Sequence, residues 1–350
     1  MMMKISTVEQ AKIDQKRRSF LKLSGLLGLG AATFSLLPAA RAEALLFGKK
    51  EHKVSRTGLA MGTYVSITAI HSSRSEAENA IDSSFEEIGR LSAILSRHDM
   101  DSPVSALNST GKLASAPREV VEMVARSIYY HRQTDGAFDI TVKPLVELYR
   151  TIFQAGGKPS DSEVGNALRL VGLEQLRLNG DNLSFKRKGM GITLDGIAKG
   201  YIVDRVSELL SARGIGNHLI NAGGDIRTNG LAGRGKPWTV AIQDPEKRRQ
   251  YPEVLTMTSG AIATSGNYEV FYDREKVFHH IVNGSTGLSP EISASVTVRA
   301  DTVMDADAMS TSVFVMEPSA GIAFINRQPG CECLVVGNNG LFSRSNGWQA

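Results

Sequence analysis

VMDADAMSTSVFVM, residues 303–316, reads as the one helix in a C-terminal third otherwise made of short strand patterns. Most of the stretch is apolar, yet Asp305, Asp307, Ser310 and Thr311 stand in its middle. Burying a carboxylate with no partner costs roughly several kcal/mol, so the chain has to supply a hydrogen bond, an opposite charge or a metal. On a helix, Asp307 and Thr311 are four apart and share a face about 5–6 Å from each other, with Asp307 and Ser310 as the i, i+3 alternative. Carboxylate and hydroxyl oxygens are hard ligands that suit Mg²⁺, which takes few protein carboxylates and leaves room for water and phosphate oxygens. In the competing reading Asp305 and Asp307 cap the helix and the hydroxyls bond back to its carbonyls. Spacing alone leaves both open.

Upstream, LDGIAKGY (194–201) places Asp195 as a candidate N-cap for a helix over 196–214, with Ala198, Ile202, Val206, Leu209 and Leu210 on its inner face. Gly196 and Gly200 permit close backbone approach, and the positive helix end suits an anion; helix packing is the plainer use of both glycines. NAGGDIRTNG (221–230) reads as strand, glycine turn and strand, with neither dinucleotide-fingerprint nor P-loop spacing. HHIVNGSTGLSP (279–290) offers His279 and His280 at a strand end, where neighbours face opposite ways, so at most one enters a site. ATSGNYEVFYD (263–273) reads as a turn with hydroxyls and not as a nucleophile elbow.

The first half of the chain follows the same mixed pattern. GLAMGTYVSITAI (58–70) reads as a strand, residues 76–96 and 117–134 as amphipathic helices, and AFDITVKPLVELYR as extended and then helical near Pro144. A short helix over SDSEVGNALRLVG and a hairpin over 176–195, turning at Asn179–Asn182, follow. Strands and helices mix without strict βαβ alternation, so the expected class is α+β.

The N-terminus reads as a removable leader. KRRSFLK (16–22), an apolar run from Leu23 to Leu37, Pro38 and Ala40-Arg41-Ala42 make a twin-arginine export signal cut after Ala42. Residues 1–42 carry seven Lys or Arg and two Asp or Glu, a net of +5, so a whole-chain charge of +4 leaves the remaining 308 residues at −1. The basic character belongs to the leader, and nothing in the remainder points to nucleic acid. Residues 43–56 read as loose and 57–350 as one domain. Cys331 and Cys333, the only cysteines, make no disulfide scaffold and read as free thiols. The expected product is periplasmic, with no membrane anchor after cleavage.

Taken in order, GLAMGTYVSI, DGAFDITVKPLV, LDGIAKGYIVD, NAGGDI, ATSGNYE, HIVNGSTG and DADAMSTS resemble the FAD:protein FMN transferase (ApbE, NosX-type) family across nearly the whole chain after the leader. The resemblance implies an ApbE-like fold with its site in a cleft between two lobes, and Mg²⁺-dependent transfer of FMN from FAD to a threonine of an exported or membrane-bound redox protein, releasing AMP. Met61, Ala137, Phe138, Asp139, Asp195, Tyr201 and Ile281 look like FAD contacts. Asp307 and Thr311 look like Mg²⁺ ligands, joined by the main-chain oxygen of Ala198, with Ser310 beside them. His280 is the candidate base. His98 stands where the family commonly has an aromatic residue, Asn283 where it commonly has Asp, and Ser310 where some members have an acid. An FAD pyrophosphatase and a non-catalytic flavin carrier are the alternatives.

Overall fold

Alternating apolar residues make Thr63–His71 a strand whose Val65, Ile67 and Ala69 face the core. In the computed structural model, which describes residues 45–47, 51–246, 251–268, 271–273 and 277–349, this strand lies near one end of a nine-stranded sheet. The strands are β1 (Leu45–Phe47), β2 (Glu51–Ala60), β3 (Thr63–His71), β4 (Lys112–Leu113), β5 (Leu176–Asn179), β6 (Asn182–Phe185), β7 (Asn217–Ala222), β8 (Asp225–Asn229), β9 (Trp238–Ala241), β10 (Val254–Met257), β11 (Gly260–Gly266), β12 (Ser293–Ala300), β13 (Glu332–Gly337) and β14 (Phe342–Arg344). The helices are α1 (Arg74–Leu95), α2 (Pro103–Thr110), α3 (Arg118–Gln133), α4 (Lys143–Gln154), α5 (Asp161–Leu168), α6 (Ala198–Ala212), α7 (Val303–Val315) and α8 (Pro318–Ile325).

The large sheet runs β1-β2-β3-β7-β8-β11-β12-β13-β14, and every neighbouring pair is antiparallel. Period-2 alternation sorts its side chains. Ala261 and Ala263 face the main core with α1, α6 and α7, while Ile262 between them joins Ile226, Leu334 and Val336 on the opposite face. The β9–β10 hairpin and Trp348 cover that second face. A satellite cluster of Leu145, Val146, Tyr149 and Val282 fixes α4 to the 277–288 segment, where the Tyr149 hydroxyl donates to the Gly287 carbonyl. Ala42–Ala350 forms a compact unit by itself.

The α+β expectation holds, with local corrections. The stretch read as loose, 43–56, contains β1 and the start of β2. The single strand expected over 58–70 is a hairpin, and it turns at Met61 and Gly62, whose φ values of 52° and 73° suit the two-residue turn that matches strand twist. Helix α2 went unread, although Ser102 caps it, Pro103 opens it and Gly111 closes it in the left-handed region. Asp195 does not cap α6; the cap position is Ile197, with no side-chain bond. The leader, residues 1–42, lies outside the described residues.

Candidate active site

Helix α7 answers its two carboxylates differently. Thr302 caps it by accepting from the Asp305 N–H at 3.1 Å, so neither aspartate is the cap. Asp305 accepts from Arg126 at 2.7 Å and from the Tyr130 hydroxyl at 2.6 Å. Desolvation opposes its charge, but these donors hold its carboxyl below the usual range. Asp307, 4% exposed, accepts from the Gly200 N–H at 3.3 Å. Burial, followed by the charge of Asp225, pushes its carboxyl well above the usual range, and Lys199 offsets only part of that. One turn on, the Thr311 hydroxyl is 3.1 Å from Ser265 Oγ. Ser310 donates back to the Asp307 carbonyl at 3.0 Å and pairs with Ser265 at 2.8 Å, so its oxygen follows the back-bonding reading.

The start of α6 lies against this face of α7. A Cβ on Gly196 would sit 2.9 Å from Thr311 Oγ1, and one on Gly200 would sit 2.5 Å from the Val303 carbonyl oxygen, a contact no side chain survives. The glycines therefore do the packing, and the same close approach brings the Gly200 N–H onto Asp307. Ala198 opens the helix between them. Lys199 reaches across to Asp225, with Nζ 2.7 Å from Oδ2. Asp225 is 1% exposed and begins β8 after a two-residue turn at Gly223 and Gly224, both at positive φ.

A second group gathers at Asp195. Its carboxylate takes Arg97 Nε at 3.0 Å and Nη2 at 2.9 Å. The side chain is 54% exposed, and desolvation opposes its charge. Arg97 nevertheless holds it below the usual range. His98 is exposed beside the pair, and partial desolvation followed by the Arg97 charge lowers its pKa. Two cavities of about 100 and 150 Å³ lie elsewhere and are too small for a dinucleotide.

Other expected contacts turn inward. Phe138 is buried edge-on to Tyr130, beside half-buried Ala137. Asp139 accepts from the Thr141 N–H at 2.7 Å and caps the following turn. Tyr201 is 4% exposed, with its hydroxyl 3.4 Å from Glu122. Met61, half-buried, holds φ at 52°, an uncommon and strained value for a side chain of its size. Buried Ile281 donates its N–H to His279 Nδ1 at 3.3 Å, and His279 Nε2 is 2.9 Å from the Pro290 carbonyl oxygen. His279 is thus structural, while His280 is half-buried. Asn283 Oδ1 accepts from the Ser285 and Thr286 N–H groups and organises a turn. Sequence reasoning missed Arg97, Lys199, Asp225 and Ser265, since no local pattern ties Arg97 to Asp195, Lys199 to Asp225 or Ser265 to α7.

Among the described residues no three His, Cys, Asp or Glu side chains gather as a metal nest. One under-compensated carboxylate beside a hydroxyl and a helix start is a poor Zn²⁺ site and fits a hard cation that keeps most of its ligands as water or phosphate.

The sequence profile of the ApbE family matches residues 61–335. The chain belongs to the ApbE family. Over 288 residues it is 31% identical to an FAD:protein FMN transferase of Vibrio cholerae, covering 79% of this chain and 85% of that one. It is 30% identical to the FAD:protein FMN transferase of Escherichia coli K12, with 77% and 80% covered. The fold is similar to the flavin transferase ApbE from Vibrio cholerae, with a TM-score of 0.73 at 28% identity, covering 85% of this chain and 98% of that one. It is also similar to the ApbE protein of Thermotoga maritima, with a TM-score of 0.76 at 29% identity and 84% and 97% covered. Both ends of the proposed site, Asp195 and the Asp307–Thr311 face, fall inside the ApbE match.

Proposed function

We propose that this ApbE-family chain transfers FMN from FAD to a threonine hydroxyl of an exported or membrane-bound redox protein in the periplasm, with Mg²⁺ as cofactor and AMP as the second product. The observation that carries the reading is Asp307: a buried carboxylate without a full countercharge, one turn from the Thr311 hydroxyl, in a chain whose relatives bear this enzyme's name. Asp307, Thr311 and the Ala198 carbonyl would hold the ion, whereas Ser310 is engaged by Ser265 and its own helix. Bound there, Mg²⁺ supplies charge neutralisation at the diphosphate.

The remaining work falls to the chain. Arg97 bonds to the exposed Asp195, with exposed His98 next in sequence, and this exposed group suits one end of a dinucleotide. The start of α6, which Gly196 lets lie against Thr311, presents a positive end to phosphate. In the transfer the threonine Oγ bonds to the flavin-side phosphorus, the bridging oxygen leaves with AMP, and the hydroxyl proton needs an acceptor. His279 has both ring nitrogens engaged inside the fold, so His280 is assigned as that base.

The test combines protein lacking residues 1–42 with FAD, Mg²⁺ and a candidate acceptor domain. An FMN-sized mass increase on the acceptor supports transfer. Free FMN and AMP with an unmodified acceptor would make the chain a pyrophosphatase instead, and unchanged FAD would make it a carrier.

A further inference from the structure

Beside Asp307 lies a charge pair that the transfer reading leaves unused. Lys199 Nζ is 2.7 Å from Asp225 Oδ2, and the Asp225 side chain is 2% exposed. Asp225 is held rigidly. It follows the Gly223–Gly224 turn, in which the Gly224 N–H donates to Asn221 Oδ1 at 3.0 Å, and a Cβ on Gly223 would lie 2.5 Å from Thr63 Oγ1. Lys199 is fixed at its other end by α6, between Ala198 and the Gly200 whose N–H meets Asp307.

Because Lys199 immediately precedes the Gly200 whose N–H meets Asp307, its ammonium has two candidate carboxylate partners. On Asp307 it would occupy the charge that a divalent ion needs; on Asp225 it forms a neutral pair and leaves Asp307 unclaimed. We propose that Asp225 is a positioning residue for the cation site, holding the Lys199 ammonium away from Asp307 so that this carboxylate remains open to a divalent cation. The inference rests on the proposed Mg²⁺ site and concerns what keeps that site vacant of the chain's own cation. It follows that Asp225 matters only while Lys199 is charged, which a merely structural aspartate would not show.

The experiment titrates the full protein lacking residues 1–42 with Mn²⁺, a spectroscopic substitute for Mg²⁺, and reads free Mn²⁺ by electron paramagnetic resonance. Asp225→Asn frees the ammonium to fall on Asp307 and is expected to weaken Mn²⁺ binding at least tenfold. Lys199→Gln removes the competitor and is expected to bind Mn²⁺ as well as the parent or better. The double variant is expected to return to within about threefold of the parent, a rescue that additive damage cannot produce. Circular dichroism confirms the fold of each, and Lys199→Gln decides the matter if Asp225→Asn does not fold. The inference is overturned if Asp225→Asn binds like the parent, if the double variant is no better than the single, or if Lys199→Gln loses tenfold. A parent that binds no Mn²⁺ overturns the cation reading itself, so the two failures are distinguishable.

Discussion

At the scale of single residues, Asp305 and Asp307 show how two identical side chains two positions apart acquire opposite physical characters. Asp305 has a guanidinium and a phenol hydroxyl, and Asp307 has a long backbone hydrogen bond and a like charge nearby. Their substitutions should therefore have opposite profiles. Asp307→Asn removes an under-compensated buried charge, so in metal-free buffer at neutral pH it should unfold at the same temperature as the parent or higher, by roughly 1 kcal/mol of stability. The same variant should lose transfer by at least about a hundredfold. Asp305→Asn should do the reverse, losing about 1–2 kcal/mol through weakened bonds to Arg126 and Tyr130 while changing transfer by less than about threefold. Thermal unfolding and acceptor mass spectrometry, run on both proteins, read both halves. Wild-type turnover by Asp307→Asn would remove the metal assignment. The i, i+4 relation of Asp307 and Thr311 was legible because a helix turns spacing into proximity. What separates Asp307 from Asp305 was not, because Arg126, Tyr130 and Asp225 arrive from other elements, at distances along the chain that no periodicity encodes.

At the scale of elements, the site exists because α6 and α7 touch, and Gly200 is what lets them. The nearest atoms to its missing Cβ are the Val303 carbonyl oxygen at 2.5 Å and the Met304 backbone at 2.7 Å, none of which can rotate away. Gly200→Ala should push the helices apart, cost about 3 kcal/mol in denaturant unfolding and lengthen the bond to Asp307. An unchanged midpoint would show that the helices have slack. The junction of α6 with β7 gives a pH prediction. His218 is fully buried, with Nδ1 2.8 Å from the Ile215 carbonyl oxygen and Nε2 2.7 Å from Ser207 Oγ. A carbonyl only accepts, so Nδ1 carries the proton and the neutral ring accepts from Ser207 at Nε2. Burial holds the pKa below its usual 6.5. The folded state thus favours the neutral ring, and its contribution is present above about pH 6.5 and lost as pH falls through the lower folded value. His218→Gln should be less stable than the parent at pH 8 and show a shallower loss between pH 6.5 and 4.5 in denaturant titrations. Strands and long helices were readable from alternation and 3.6-residue spacing, as in Val65, Ile67 and Ala69. The cap of α6 was not, because Asp195 has the right chemistry for a cap but is drawn off by Arg97, a partner supplied by the loop after α1.

At the scale of the whole molecule, the order of the sheet bears on the proposed export of the chain. Strand β3 pairs with β7, nearly 150 residues later in the numbering, and β8 pairs with β11 across another hairpin and a loop. Such long-range pairing forms slowly, and it must be complete before Asp225, Gly200 and Asp307 meet. The proposed twin-arginine route, which carries a folded protein, suits this topology. The apolar run from Leu23 to Leu37 would span roughly 22 Å as a helix, short of the ~30 Å hydrocarbon core, and it is broken by Gly25, Gly28 and Gly30. Arg17 and Arg18 precede it, and Ala40-Arg41-Ala42 follows it with the small residues of the proposed cut. Replacing both arginines, Arg17→Lys with Arg18→Lys, keeps the charge and removes the paired guanidinium groups that the twin-arginine route reads. The double variant should therefore accumulate in the cytoplasm at full length, while the parent appears in the periplasmic fraction beginning at Glu43. Cell fractionation with N-terminal sequencing separates the outcomes. Mature-length protein in the periplasm from the Lys-Lys variant would mean that the chain is threaded unfolded through the general route and that its sheet and metal face assemble only after crossing.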